Sequence, residues 1–136
     1  MFTTPCIIRK NTPELRQKLE KLGYTNCIIE DEKYLFTSHG IFDCISSCTA
    51  YEDMVRNGLV DCGDNEFLFI ALAAMRDDTD KDQLFTNGID WAIKREAARN
   101  LGLPGFEYLT FPRDVDTPLH KATIEEIMNY FQTPIA

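Results

Sequence analysis

Positive charge is scarce in this chain: its 136 residues hold 14 Lys and Arg against 22 Asp and Glu, a formal net charge of -8. Nucleic-acid affinity rests largely on Lys and Arg displacing counterions, so the deficit argues against direct DNA or RNA binding and for a protein partner with a basic surface. Long apolar runs are also missing. The longest, Phe67 to Met75, has nine residues, about half of what a membrane-spanning helix requires, and no membrane contact is expected. Histidine occurs only at positions 39 and 120, and tryptophan only at 91. The sequence has no Gly-x-Gly-x-x-Gly, phosphate loop, Gly-x-Ser-x-Gly elbow or Cys-x-x-Cys knuckle, which leaves the usual cofactor classes without support. No cofactor is expected. The opening Met1-Phe2-Thr3-Thr4-Pro5 lacks the basic and apolar regions of a secretory signal, and five cysteines cannot all pair, so a reducing cytoplasm is the expected address.

What is present reads as one α+β domain over residues 1–136, with 44% hydrophobic residues and neither repeats nor linkers. Thr12 as N-cap, Pro13 at the first helical position and Glu14 in the first turn start a helix that buries Leu15, Leu19 and Leu22 and ends at Gly23. Short strands centred on Cys6-Ile7-Ile8 and Cys27-Ile28-Ile29 flank it, giving a β-α-β opening. Tyr34 to Thr37 and Ile41 to Ile45 read as two more strands around the His39-Gly40 break. Ser47 or Thr49 caps a short helix through Tyr51, Met54 and Val55 to Asn57-Gly58. Asp64 or Asn65 starts a helix to about Arg76 with Phe67, Leu68, Ala71, Leu72 and Met75 on its buried face, although so continuous an apolar run also fits a buried strand. Beyond it the pattern predicts a strand over Gln83 to Thr86 and a helix opened by Asn87-Gly88 that shares Ile89, Ile93, Ala97 and Leu101. A strand follows from Phe106 to Phe111. The last helix carries a capping box, Thr123 with Glu126, and buries Ile124, Ile127, Met128 and Phe131. The expected fold is a small, mainly antiparallel sheet with a β-α-β start, covered by three or four helices.

The candidate sites concentrate between Asp61 and Asp82, which holds Asp61, Asp64, Glu66, Asp77, Asp78, Asp80 and Asp82. Asp78-Thr79-Asp80-Lys81-Asp82 begins like a calcium-binding loop, but Gln83 stands where the sharp turn needs glycine and Ile89 where a bidentate glutamate is needed. His39, Cys44, Cys48 and Cys62 are donors suited to zinc, at spacings that match no metal-binding pattern, and core thiols are the better account. No metal is expected. A thiol enzyme would pair Cys44 with His39, or use Cys62 beside Asp61 and Asp64. Carboxylates of Asp61-Cys62-Gly63-Asp64-Asn65-Glu66 are explained by helix capping and the positive helix end. Trp91 lies off the Ile89/Ile93 stripe and is a candidate for a partner-binding surface.

The stretches Cys6-Ile7-Ile8-Arg9-Lys10-Asn11-Thr12-Pro13-Glu14-Leu15, Asp61 to Glu66, Phe85-Thr86-Asn87-Gly88 and the closing Lys121 to Ile127 resemble small uncharacterised proteins of gut Bacteroidales and their phages or mobile elements. The resemblance implies an accessory, phage-related protein and carries no catalytic residue. The expected function is non-enzymatic binding of a basic protein through Asp61, Asp64, Glu66, Asp77, Asp78, Asp80, Asp82 and Trp91. A thiol-dependent enzyme or hydrolase, and a metal-stabilised structural domain, are the alternatives.

Overall fold

The β-α-β opening forms where local chemistry dictates. Strand β1 (Cys6–Ile8) leads to helix α1 (Pro13–Leu22), whose N-cap Thr12 accepts the Leu15 N–H at 3.2 Å and whose end is turned by Gly23 at φ 114°. Strand β2 (Thr25–Asn26) follows. It is shorter than the strand expected through Cys27-Ile28-Ile29, because the Asn26 side chain takes the Ile28 N–H at 2.8 Å and turns the backbone away. The computed structural model describes residues 1–78, 83–86, 91–94, 107–108 and 120–132, of which 91–94, 107–108 and 132 are described through their backbone alone.

Strands β3 (Tyr34–Ser38) and β4 (Ile41–Ile45) form the expected hairpin around His39-Gly40, with both turn residues at positive φ. Ser47 caps α2 (Cys48–Arg56) by accepting the Ala50 N–H, and β5 (Val60–Asp61) closes a five-stranded sheet in the order β2-β4-β3-β1-β5. Ladders β1–β3 and β3–β4 are antiparallel, while β1–β5 and β2–β4 are parallel. A second, four-stranded sheet runs β8-β7-β6-β9, from β6 (Gln83–Thr86), β7 (Trp91–Lys94), β8 (Glu107–Tyr108) and β9 (His120–Lys121). Antiparallel pairing carries most of both sheets, in an α+β architecture whose strands divide between two sheets where the sequence suggested one.

The expected helix opened by Asn87-Gly88 is a strand at its centre. Trp91 to Lys94 pairs antiparallel with β6, Ile93 opposite Leu84. Asn-Gly is a strong hairpin signal, and the aromatic and β-branched residues after it suit a strand once a partner edge is available. Ala97 and Leu101 lie outside the described residues.

Helix α3 (Glu66–Ala73) is capped by Asn65, not Asp64, and ends three residues before Arg76. Leu68 to Ala73 are all buried, because α3 lies against α1, β1 and α4 (Ile124–Gln132). Packing on three sides replaces the single buried face expected, and Phe67 points outward. The capping box forms in both directions: the Thr123 N–H donates to Glu126 Oε1 at 3.0 Å and the Glu126 N–H to Thr123 Oγ1 at 3.2 Å. Ile127 is buried whereas Ile124, expected beside it, is exposed at the helix start.

Residues opposite one another across a ladder share a face. Cys6, Ile8, Leu35 and Phe42 therefore look toward α1 and α3, in the main core. Ile7, Phe36 and Asp61 look the other way, toward α2, where Tyr51 packs edge-on against Tyr34 at 5.3 Å between ring centroids.

Candidate functional site

The α2 side of the first sheet holds an open cleft of about 270 Å³, lined by Arg9, Tyr51, Glu52, Val55, Arg56 and Asp61. Its position follows from the topology. Strands β1 and β5 are parallel neighbours, so their carboxyl ends, carrying Arg9 and Asp61, lie side by side. The two ends are tied by the Arg9 N–H, which donates to the Gly63 carbonyl at 2.7 Å.

Tyr51 is the centre of the cleft. Only 1% exposed, it donates its hydroxyl to Asp61 Oδ1 at 2.5 Å, and the Gly63 N–H donates to the same oxygen at 2.9 Å. The Arg9 guanidinium lies over the Tyr51 ring, 4.3 Å from its centroid, a cation–π contact that holds the charge at the cleft wall. Burial, the hydrogen bond to Asp61 and the Asp61 charge all push the Tyr51 phenol well above its ordinary value, against the opposing pull of Arg9. Tyr51 is therefore a neutral donor across the physiological range. Among the described residues neither Arg9 nor Glu52 forms an ion pair, whereas Arg56 meets Asp53 at 3.3 Å.

The thiols are dispersed. Cys6 and Cys62 are buried in the core; the Cys62 thiol is raised well above its usual range by its hydrogen bond with Cys6 and by burial. Cys44 donates to the Glu30 carbonyl and accepts from the Glu32 N–H; burial lifts its value, that N–H draws it back, and the charges of Asp43, Asp31 and Glu32 lift it further. His39 sits at the hairpin tip, while Cys44 pairs with Leu35 well down the same ladder, so the suggested Cys44/His39 couple is not assembled. Cys48, exposed at the start of α2, lies 3.2 Å from the Tyr34 hydroxyl. A nucleophilic thiol needs its thiolate favoured, and Cys44 and Cys62 are shifted the other way. Among the described residues no three potential metal ligands gather at one point, so His39, Cys44, Cys48 and Cys62 do not meet. His120 instead binds Glu126, at 2.9 Å from Oε1.

Comparison with protein-family models, with curated proteins and with solved structures finds no match to this chain. Its chemistry must be read from its own residues.

The acidic residues separate into two groups at opposite ends of α3. At the amino end Asp61 is engaged by Tyr51, Glu66 meets Lys10 at 3.3 Å, and Asp64 is exposed. Phe67, beside them, is 43% exposed. At the carboxyl end Arg76 donates twice to Asp78, and the chain's α-amino group pairs with Asp78 and lies 3.5 Å from Asp77. These bonds hold the Asp78 carboxyl far below the usual carboxylate range, Arg76 contributing most. Asp80 and Asp82 lie outside the described residues, and Trp91 is placed opposite Thr86 in β7 by its backbone alone. Neither Arg9 nor Tyr51 was anticipated from the sequence as lining a cleft. The available signal was the pair of strand ends followed by polar turns, but no local motif joins residues 9, 51 and 61.

Proposed function

We propose that this chain is a non-enzymatic binding module of the cytoplasm that captures a basic protein on the amino end of α3. The observation that carries the reading is Phe67: it is the one large apolar side chain of α3 turned to solvent, directly after Glu66 and three residues after the exposed Asp64. An exposed aromatic supplies the desolvated anchor of a protein interface, and surrounding carboxylates speed and select the encounter with a basic surface. The net charge of -8 supports the same partner class and disfavours nucleic acid. An accessory role in a phage or mobile-element setting is consistent with the sequence resemblance. Among the described residues no helix is long and apolar enough to cross a membrane.

The test is capture from the native lysate at moderate salt with the wild-type chain and with a Phe67→Ser, Asp64→Asn double variant. Retention of one basic protein in stoichiometric amount by the wild type, and its loss from the double variant, is the expected result. An equal yield from both sinks the α3 surface; an empty capture sinks the protein-binding reading.

A further inference from the structure

The cleft on the α2 side has a lining suited to recognition. Its lining offers both signs of charge within a small volume: Arg9, free of any ion pair among the described residues, against Glu52, equally unpaired, and Asp61. Asp61 spends one oxygen on the Tyr51 hydroxyl and the Gly63 N–H, and among the described residues its Oδ2 accepts no hydrogen bond. Arg9 is steadied at both ends, its N–H on the Gly63 carbonyl at 2.7 Å and its guanidinium over the Tyr51 ring at 4.3 Å, so its outward edge is presented with little freedom to lose. A guanidinium recognises a planar carboxylate by two parallel hydrogen bonds.

We propose that the cleft between α2 and the carboxyl ends of β1 and β5 binds a small zwitterion of the α-amino-acid class, its carboxylate on Arg9 and its ammonium between Asp61 Oδ2 and Glu52. Size and charge select this class. A cleft of about 270 Å³ falls just below the usual range of small-molecule sites, matching a single amino acid better than a nucleotide. With Arg56 drawn to Asp53, Arg9 is the lining cation left without an ion pair among the described residues, so a phosphate dianion would meet the repulsion of both Asp61 and Glu52, and a peptide terminus would satisfy only one of the two charges. Val55 supplies an apolar wall for the ligand side chain, and Arg56, drawn toward Asp53, completes the lining. No bond is made or broken in this role; the site senses or holds its ligand. Its lining includes neither Phe67 nor Asp64, the residues varied in the capture experiment, so either reading can fail without the other.

The test is amide and arginine side-chain NMR of the full chain titrated singly with each of the twenty L-amino acids, with acetate, methylammonium and inorganic phosphate as controls. Expected is at least one amino acid binding with a Kd of about 1 mM or tighter, with shifts centred on Arg9, Tyr51, Asp61 and Gly63. Acetate and methylammonium should each bind at least about tenfold more weakly, that is, by about 1.4 kcal/mol. Arg9→Gln should weaken the amino acid about tenfold or more, and Arg9→Lys, which keeps the charge but not the fork, should fall between. Both substitutions are on an exposed side chain, and an unchanged amide spectrum elsewhere establishes that they fold. Silence from all twenty amino acids overturns the proposal. So does phosphate binding as tightly as the best amino acid, or Arg9→Gln leaving affinity intact.

Discussion

Among the described residues five side chains hold their protons more tightly in the native fold than an ordinary thiol or phenol does, Tyr34 through its hydrogen bond with Cys48. Tyr24 and Tyr51 are raised chiefly by burial, Cys44 by burial, and Cys62 by its hydrogen bond with Cys6 and by burial. Raised acidic groups stay neutral when folded at a pH where the unfolded chain has released them. The unfolded state then binds fewer protons, and stability falls as pH rises. The stabilising contribution is complete below the unfolded thiol value of about 8.5 and is lost progressively above it, with the phenols joining from about 10. Urea midpoints measured from pH 7 to pH 10.5 should thus be level at first and then decline, and Cys62→Ala should flatten part of that alkaline slope. An unchanged slope in the variant would mean that Cys62 titrates normally.

At the scale of elements, the helix starts differ in what their caps hold. Ser47 accepts one N–H at the start of α2 and does nothing more among the bonds seen. Asn65 accepts the Leu68 N–H at 3.0 Å and with its other atom donates to the Phe131 carbonyl at 3.0 Å, so it closes α3 and fastens the end of α4 at once. Ser47→Ala should cost about 1 kcal/mol, and Asn65→Ala about 2 kcal/mol because a second hydrogen bond is lost with the cap. Urea titration of the two variants checks the order. Elements with such local punctuation were readable in advance: Thr12 with Pro13, Ser47, and Thr123 with Glu126 act within one turn of backbone. Trp91 to Lys94 was misread because its conformation is decided by β6 as partner, and the strand through Cys27 to Ile29 because a single Asn26 side chain redirects the backbone.

At the scale of the whole molecule, one hydrophobic cluster joins both sheets. Leu84 of β6, Ala122 just after β9, and Ile127 of α4 belong to the same buried group as Cys6, Leu15, Leu19 and Leu68 to Ala74. Leu72, fully buried in the middle of that group, should lose about 3–5 kcal/mol on truncation to alanine, since α3 is packed on three sides and cannot collapse into the void. Because the cluster is shared, far-UV circular dichroism of the helices and Trp91 fluorescence from β7 should trace one coincident urea transition in the wild type and in Leu72→Ala. Separated transitions would show two independent cores. The cluster was partly legible, since the apolar run from Phe67 to Met75 marked α3 as its centre. The cleft was not, because Arg9, Tyr51 and Asp61 are far apart in sequence and meet only after β1 and β5 align in parallel.

That alignment also sets an order of events during synthesis. β1 is made before both of its sheet neighbours, β3 and β5, and Cys6 finds Val60 only after the hairpin and α2 have been added. Non-local parallel pairing of this kind raises the contact order and slows folding relative to a helical bundle. At roughly 5–20 residues per second the ribosome needs several seconds to add β5 after β1. Through that interval Cys6-Ile7-Ile8 has an open edge, the condition in which a strand is most prone to pair with another chain.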